Sequence, residues 1–182
     1  MTTCDSPAPL ESTLLVGLGS LRGDDSVGLH IASELDEQKL PGVRVRLAHS
    51  PTQLFDWLDG LKHLIVCDAC VCSAPVGQLH RWSWPTDELE RLKFSGSHEM
   101  SLPTVLAIAG QLQLLPPVVT VWGVSIASDR AALPSETSCG QLARLQSSNR
   151  ARAPELQPPL SEQISAAMPT IVAKIRSAIS GG

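Results

Sequence analysis

The chain has 182 residues of which 43% are hydrophobic, enough to bury one sizeable core and the length of a single domain. Its formal net charge of −4 leaves no basic stripe, which argues against nucleic acid and an anionic membrane surface as partners. No apolar run approaches the roughly 20 residues that cross a bilayer, "MTTCDSPAPLEST" lacks the pattern of a secretion signal, and five cysteines without framework spacing suit free thiols in a reducing compartment, so a cytoplasmic protein is expected.

Residues Leu14 to Leu18 form an unalternating apolar run, the mark of a strand buried on both faces. A helix is predicted over 26–38. Val43, Val45 and Leu47 then alternate with Arg44, Arg46 and Ala48, which predicts a strand with one wetter face, nearer an edge. Ser50 and Pro51 make a helix start, with the hydroxyl as cap and the proline in the first turn, so a short helix is expected over 51–59. "HLIVCDA" is a third, buried strand. "GQLHRW" (77–82) is a fourth, and the loop before it is too short for the crossover of a parallel pair, so it should run antiparallel. Leu102, Val105, Leu106, Ala109 and Leu112 fall at helical spacing behind Ser101 and Pro103. A fifth strand covers 118–126. Residues 129–159 are rich in Ser, Pro, Ala and Arg without periodicity, and 129–154 is expected to be a surface insertion. The tail places Ile164, Met168, Ile171, Val172, Ile175 and Ile179 on one helical face, with Pro169 expected to kink or interrupt the helix. This alternation of elements predicts one α/β domain over 1–182.

The stretch "GLGSLRGDDSVG" lies between the first strand and the first helix. A glycine-rich turn there suggests a dinucleotide, but the G-x-G-x-x-G spacing is absent. Asp24 and Asp25 also occupy the helix N-terminus, where a phosphate would have to sit. Adjacent carboxylates point in different directions, so one can cap the helix while the other faces the crevice at the carboxyl ends of the strands, where open α/β sheets hold their ligands. Asp68 ends a buried apolar run, and a carboxylate there must sit at the strand tip or bond to loop amides. His98 stands in "SGSHEMSLP", a loop of small and polar residues leading into a helix, where a solvated side chain is the plain alternative. Carboxylate oxygen and imidazole nitrogen together suit hard and borderline cations, and three such ligands with open positions describe a reactive metal site. Asp25, Asp68 and His98 are candidates for one.

Cys67, Cys70 and Cys72 spell C-x-x-C-x-C, but no second cysteine pair completes a four-thiolate site, and packing is the expected role. His30, His49, His63 and His80 show no metal-ligand spacing and read as ordinary. The tryptophans are assigned to core packing. Ser20 is not in a G-x-S-x-G elbow and is not expected to be a nucleophile.

Together, "GLGSLRGDDSVG", "VCDACVCSAPVGQL", Ser97–His98 ahead of a Leu-rich helix, and "PPLSEQISAAMPTIVAKI" resemble the hydrogenase maturation endopeptidases. Those enzymes remove a C-terminal extension from the large subunit of nickel–iron hydrogenases. The resemblance covers 13–128 and 155–176. Ser20 stands where the family usually has Asn, and Ser26 where it has the first later Gly, a position at which Ser requires ordinary backbone angles. The resemblance implies a three-layer αβα sandwich with a mixed, mostly parallel five-stranded sheet. It also implies a peptidase site in which Asp25, Asp68 and His98 are both the catalytic residues and the metal ligands. The metal implied is nickel, carried by the substrate rather than held permanently. The implied partner is the hydrogenase large-subunit precursor, met by a monomer, with no nucleic acid and no membrane. Asp24 is left to orient the turn or to serve as a base. A protein of another class, a nickel-sensing chaperone that binds such a precursor without cutting it, would carry the same ligands.

Overall fold

The computed structural model describes residues 12–94, 100–127 and 159–181. The apolar runs form the strands β1 (Thr13–Leu18), β2 (Val43–Ala48), β3 (His63–Val71), β4 (Leu79–Ser83) and β6 (Val118–Ser125), with a two-residue β5 (Lys93–Phe94) between the last two. They build one sheet in the order β2-β1-β3-β6-β4, with β5 paired to β3 off that path. The pairs β1–β2, β1–β3 and β3–β6 are parallel, and β4 lies antiparallel to β6. The fourth strand thus runs in the expected direction, but against β6 rather than its sequence neighbour. β2 is an edge strand, as its alternating arginines suggested.

Period-two alternation divides the side chains between two cores. On one face, Leu14, Val16, Leu64, Val66, Val119 and Val121 pack with Leu102, Val105, Leu106 and Ala109 of helix α3 (Leu102–Gln111) and with Leu89 of the short α2 (Asp87–Arg91). On the other, Leu15, Ile65, Cys67, Trp122 and Val124 lie under Ile31, Ala32 and Leu35 of α1 (Val27–Glu37), and under Ile164, Met168, Ile171, Val172 and Ile175 of α4 (Glu162–Ser180). The result is the three-layer αβα sandwich with a mixed, mostly parallel sheet.

Three local expectations are corrected. The segment expected as a helix over 51–59 is a 3-10 helix, Pro51–Asp56, started by the expected Ser50, with Gln53 Oε1 accepting from the backbone N of His49 at 2.7 Å and of Ser50 at 3.2 Å. Leu112 is 59% exposed, because α3 ends at Gln111 and the chain turns before Leu112 can rejoin the apolar stripe. Pro169 does not interrupt α4. Pro169 and Ser165, whose carbonyl loses its donor to the proline, are both exposed residues, while Met168 and Ile171 hold both halves of the helix to the sheet. The insertion expected over 129–154 lies outside the described residues. No helix among the described residues is long and apolar enough to cross a membrane.

Candidate functional site

Parallel strands bring their carboxyl ends to one edge of the sheet, and the chain from β1 turns there into a 3-10 turn, Gly23–Ser26, and then α1. The approach is very close. A Cβ on Gly28 would collide with the carbonyl oxygens of both Leu18 and Cys67, so the first turn of α1 is wedged between the tips of β1 and β3. Gly19 has φ +149°, and a side chain there would run into the Asp25 carbonyl. Ser26 keeps ordinary helical angles, φ −82° and ψ −1°, and its hydroxyl donates to the Gly23 carbonyl at 2.6 Å, which closes the turn.

This wedge sets the two adjacent aspartates apart. Asp24 Oδ1 accepts from the backbone N of Ser161 at 2.6 Å, and neither the 3-10 turn nor α1 has a side-chain cap bond. The expected capping of its own helix is therefore replaced by a tie to the start of α4, where the Ser161 hydroxyl caps Ile164 N at 3.4 Å. Asp25 turns the other way. Its Oδ2 accepts from the backbone N of Ser20 at 2.9 Å, while its Oδ1, a buried atom, has no hydrogen-bond partner among the described residues.

Asp68 is 2% exposed, with one oxygen accepting from Ala69 N at 2.8 Å. β3 continues three residues past it to Val71, yet β1 stops pairing at Gly17–Cys67, so Asp68 sits where β1 has left the sheet. Burial pushes its carboxyl well above the usual carboxylate range; the Ala69 N–H works the other way, and the charge of Asp25 raises it further. The Asp25 charge is thus felt at Asp68. An unpartnered buried oxygen and a second buried carboxyl within electrostatic reach are groups that a cation would stabilise, and their chemistry suits a borderline divalent ion.

Among the described residues, no three His, Cys, Asp or Glu side chains gather into a group that could hold a metal ion. His98, the third member of the expected set, lies outside the described residues. These run to Phe94, which pairs with Cys70 of β3, and resume at Met100, which packs against the α3-side core.

His49, read as ordinary in the sequence, lies at the same edge, and its Nδ1 is 3.2 Å from the Gly19 carbonyl. A signal for this contact exists in the register: Leu18 pairs with Ala48, so the residues that follow them must be neighbours. The cysteines divide by parity. Cys67 is buried on the α1 side, whereas Cys70 and Cys72 point to the α3 side, Cys70 buried and Cys72 half-buried. Burial pushes the Cys67 thiol far up, and burial with the neighbouring Cys72 pushes Cys70 up to about 12, so both are inert packing thiols as expected.

Among solved structures, the chain is similar to the hydrogenase maturating endopeptidase HybD from E. coli, with 20% identity and a TM-score of 0.63 over 93% of this chain and 92% of that one. It is also similar to the [NiFe] hydrogenase maturation protease HybD from Thermococcus kodakarensis, at 16% identity and TM-score 0.61 over 91% and 97% of the two chains. A third similar structure is the hydrogenase 2 maturation peptidase from Thaumarchaeota archaeon SCGC_AB-539-E09, at 23% identity and TM-score 0.56 over 92% and 97%. No family model and no curated protein matches the chain. The described residues have the fold of these proteases.

Proposed function

We propose that this chain is a hydrogenase maturation endopeptidase, which cuts one peptide bond near the C-terminus of a nickel-loaded large-subunit precursor. In this reading Asp25, Asp68 and His98 engage the nickel that the precursor brings. The observation that carries it is the buried, unpartnered Oδ1 of Asp25, a carboxylate whose charge is felt at the buried Asp68, at the carboxyl ends of the strands of a fold shared with named maturation proteases. Three features of the chain support it. Ser20 N holds one Asp25 oxygen and so aims the other. Burial and the Asp25 charge both push the Asp68 carboxyl up, so an arriving cation would relieve the electrostatic conflict between the two carboxyls. Asp24 is committed to Ser161, which leaves it the positioning role rather than that of a base.

Nickel in the precursor would then act as the signal that insertion is complete, because a crevice of two carboxyls without a cation offers an approaching chain only charge and desolvation cost. Hydrolysis adds one water across the scissile bond, leaving a new carboxylate on the large subunit and a new amine on the released peptide. The test is to mix the purified chain with nickel-loaded precursor and weigh the products. Loss of a C-terminal peptide from the precursor supports the peptidase; a stable complex with no loss of mass would instead identify a nickel-sensing binding protein.

A further inference from the structure

On the α3 face of the sheet, beyond Asp68, the crowded edge holds a second group of chemically active side chains that the peptidase reading does not use. Cys70 of β3 is in register with Ser125 of β6, and His80 of β4 is in register with Gly123, so all of these positions share one face with Cys72. Cys72 Sγ lies 3.0 Å from Ser125 Oγ, and the same hydroxyl lies 2.9 Å from His80 Nε2. The direct separation of Cys72 Sγ from His80 Nε2 is 3.8 Å. Ser125 is fully buried, and the His80 ring is stacked on Trp82, 5.4 Å between centroids at 11°. The imidazole is therefore held in one orientation against the hydroxyl.

We propose that Cys72 is a reactive thiol, a site of oxidation by hydroperoxides, with His80 exchanging its proton through the Ser125 hydroxyl. The buried Cys70 thiol also bonds to the Ser125 hydroxyl and to Cys72, and a protonated Cys70 can donate to Ser125 Oγ throughout. A hydroxyl has one hydrogen and two lone pairs, so between Cys72 and His80 it keeps two self-consistent orientations. In one, Cys72 S–H donates to Ser125 Oγ, which donates to His80 Nε2. In the other, Nε2–H donates to Oγ, which donates to the Cys72 thiolate. Passage between them moves one proton along each bond and leaves the net charge of the group unchanged. The thiolate is the nucleophile, and an imidazole partner is a group that can take the thiol's proton.

The thiolate sulfur attacks the terminal oxygen of a hydroperoxide, forming the S–O bond as the O–O bond breaks. The departing hydroxide, or alkoxide from an organic hydroperoxide, takes the proton held by the imidazole, so Cys72 is oxidised to the sulfenic acid and the peroxide is reduced to water or an alcohol. Cys67 lies on the opposite face. Cys70 touches both Cys72 and Ser125 but is wholly buried, and burial with Cys72 pushes its thiol up to about 12, so it stays a protonated donor without access to a hydroperoxide.

The full chain is exposed to limiting hydrogen peroxide, sulfenic acid is trapped with a dimedone reagent, and each cysteine is followed by peptide mass spectrometry. Cys72 should be labelled about tenfold or more faster than Cys67 and Cys70. Ser125→Ala, which cuts the relay, and His80→Gln, which can still bond to Ser125 but takes no proton, should each slow Cys72 by about tenfold or more. His80 is half-exposed, so His80→Gln keeps the test decisive if Ser125→Ala fails to fold, with the melting temperature as the check on folding. A group that merely satisfies its own hydrogen bonds would give an equally slow Cys72 in the native chain, or a Cys72 rate untouched by His80→Gln in a folded variant, and either result overturns the proposal.

Discussion

Asp24 reaches across the fold to the backbone N of Ser161, 137 residues away in sequence, at 2.6 Å in a half-buried setting. Truncation by Asp24→Ala removes a hydrogen bond to a charged group, which is worth about 1.5–3 kcal/mol. It also removes a carboxylate from the N-terminal end of α4, where the helix dipole adds about 0.3–1 kcal/mol. A loss of about 2–4 kcal/mol follows, and at roughly 2–4 °C per kcal/mol for a chain of this size the melting temperature should fall by about 4–16 °C. α4 buries Ile164, Met168, Ile171, Val172 and Ile175 on the sheet, so loosening its start weakens the whole unit rather than one end. Asp24→Asn retains an acceptor of nearly the same shape and should cost only about 1 kcal/mol. Urea unfolding of the three proteins, with unchanged m-values, measures the series directly. An Asp24→Ala variant within about 0.5 kcal/mol of the parent would refute the tie.

Asp68 should destabilise the metal-free chain at neutral pH. Its folded carboxyl titrates well above its unfolded value, so the native state keeps a proton that the unfolded chain has released. Stability is therefore greatest below the unfolded value and declines as pH rises towards the folded one, by about 1.4 kcal/mol per unit of difference. Asp68→Asn should raise the melting temperature at pH 7 and flatten its pH dependence; a wild-type stability that climbs steadily from pH 4 to 7 with no gain from Asn would contradict this. Gly28→Ala should cost about 1–3 kcal/mol or more, since the methyl meets two backbone carbonyls that cannot rotate away, and thermal melts beside Gly23→Ala measure it. At Gly23 a Cβ meets nothing within 4 Å, so only its φ of +50° opposes alanine there. Equal melting temperatures for the parent and Gly28→Ala would mean that the wedge is looser than the geometry requires.

The sheet was legible because its central strands are buried on both faces and carry unbroken apolar runs, while β2 advertises its edge through Arg44 and Arg46. What could not be read was pairing at a distance. β5 has two residues and no pattern of its own, and β4 pairs antiparallel with β6, which follows only after β5 and α3. The positions of Asp25 and Asp68 were legible from a strand–turn–helix spacing and from a charge inside an apolar run. The different fates of Asp24 and Asp25 were not, because the partner of Asp24 belongs to the last helix. Ser125 of β6, His80 of β4 and Cys72, just past the end of β3, meet only through register, which local periodicity does not encode. Leu112 shows the opposite failure: its spacing fits the helix, but the helix stops one residue early.

The most direct measurement of the central claim is the cleavage of one precursor in two states, with and without nickel, by the parent chain and by Asp25→Asn. Asn keeps the shape of Asp25 and removes the charge from the side chain whose Oδ1 lacks a partner. The parent chain should shorten the nickel-loaded precursor and leave the nickel-free one intact, and folded Asp25→Asn should be slower by about 10- to 100-fold or more. Equal cleavage of both precursor states, or an Asp25→Asn variant that processes at the parental rate, would contradict the assignment of this crevice as the place where the metal is read.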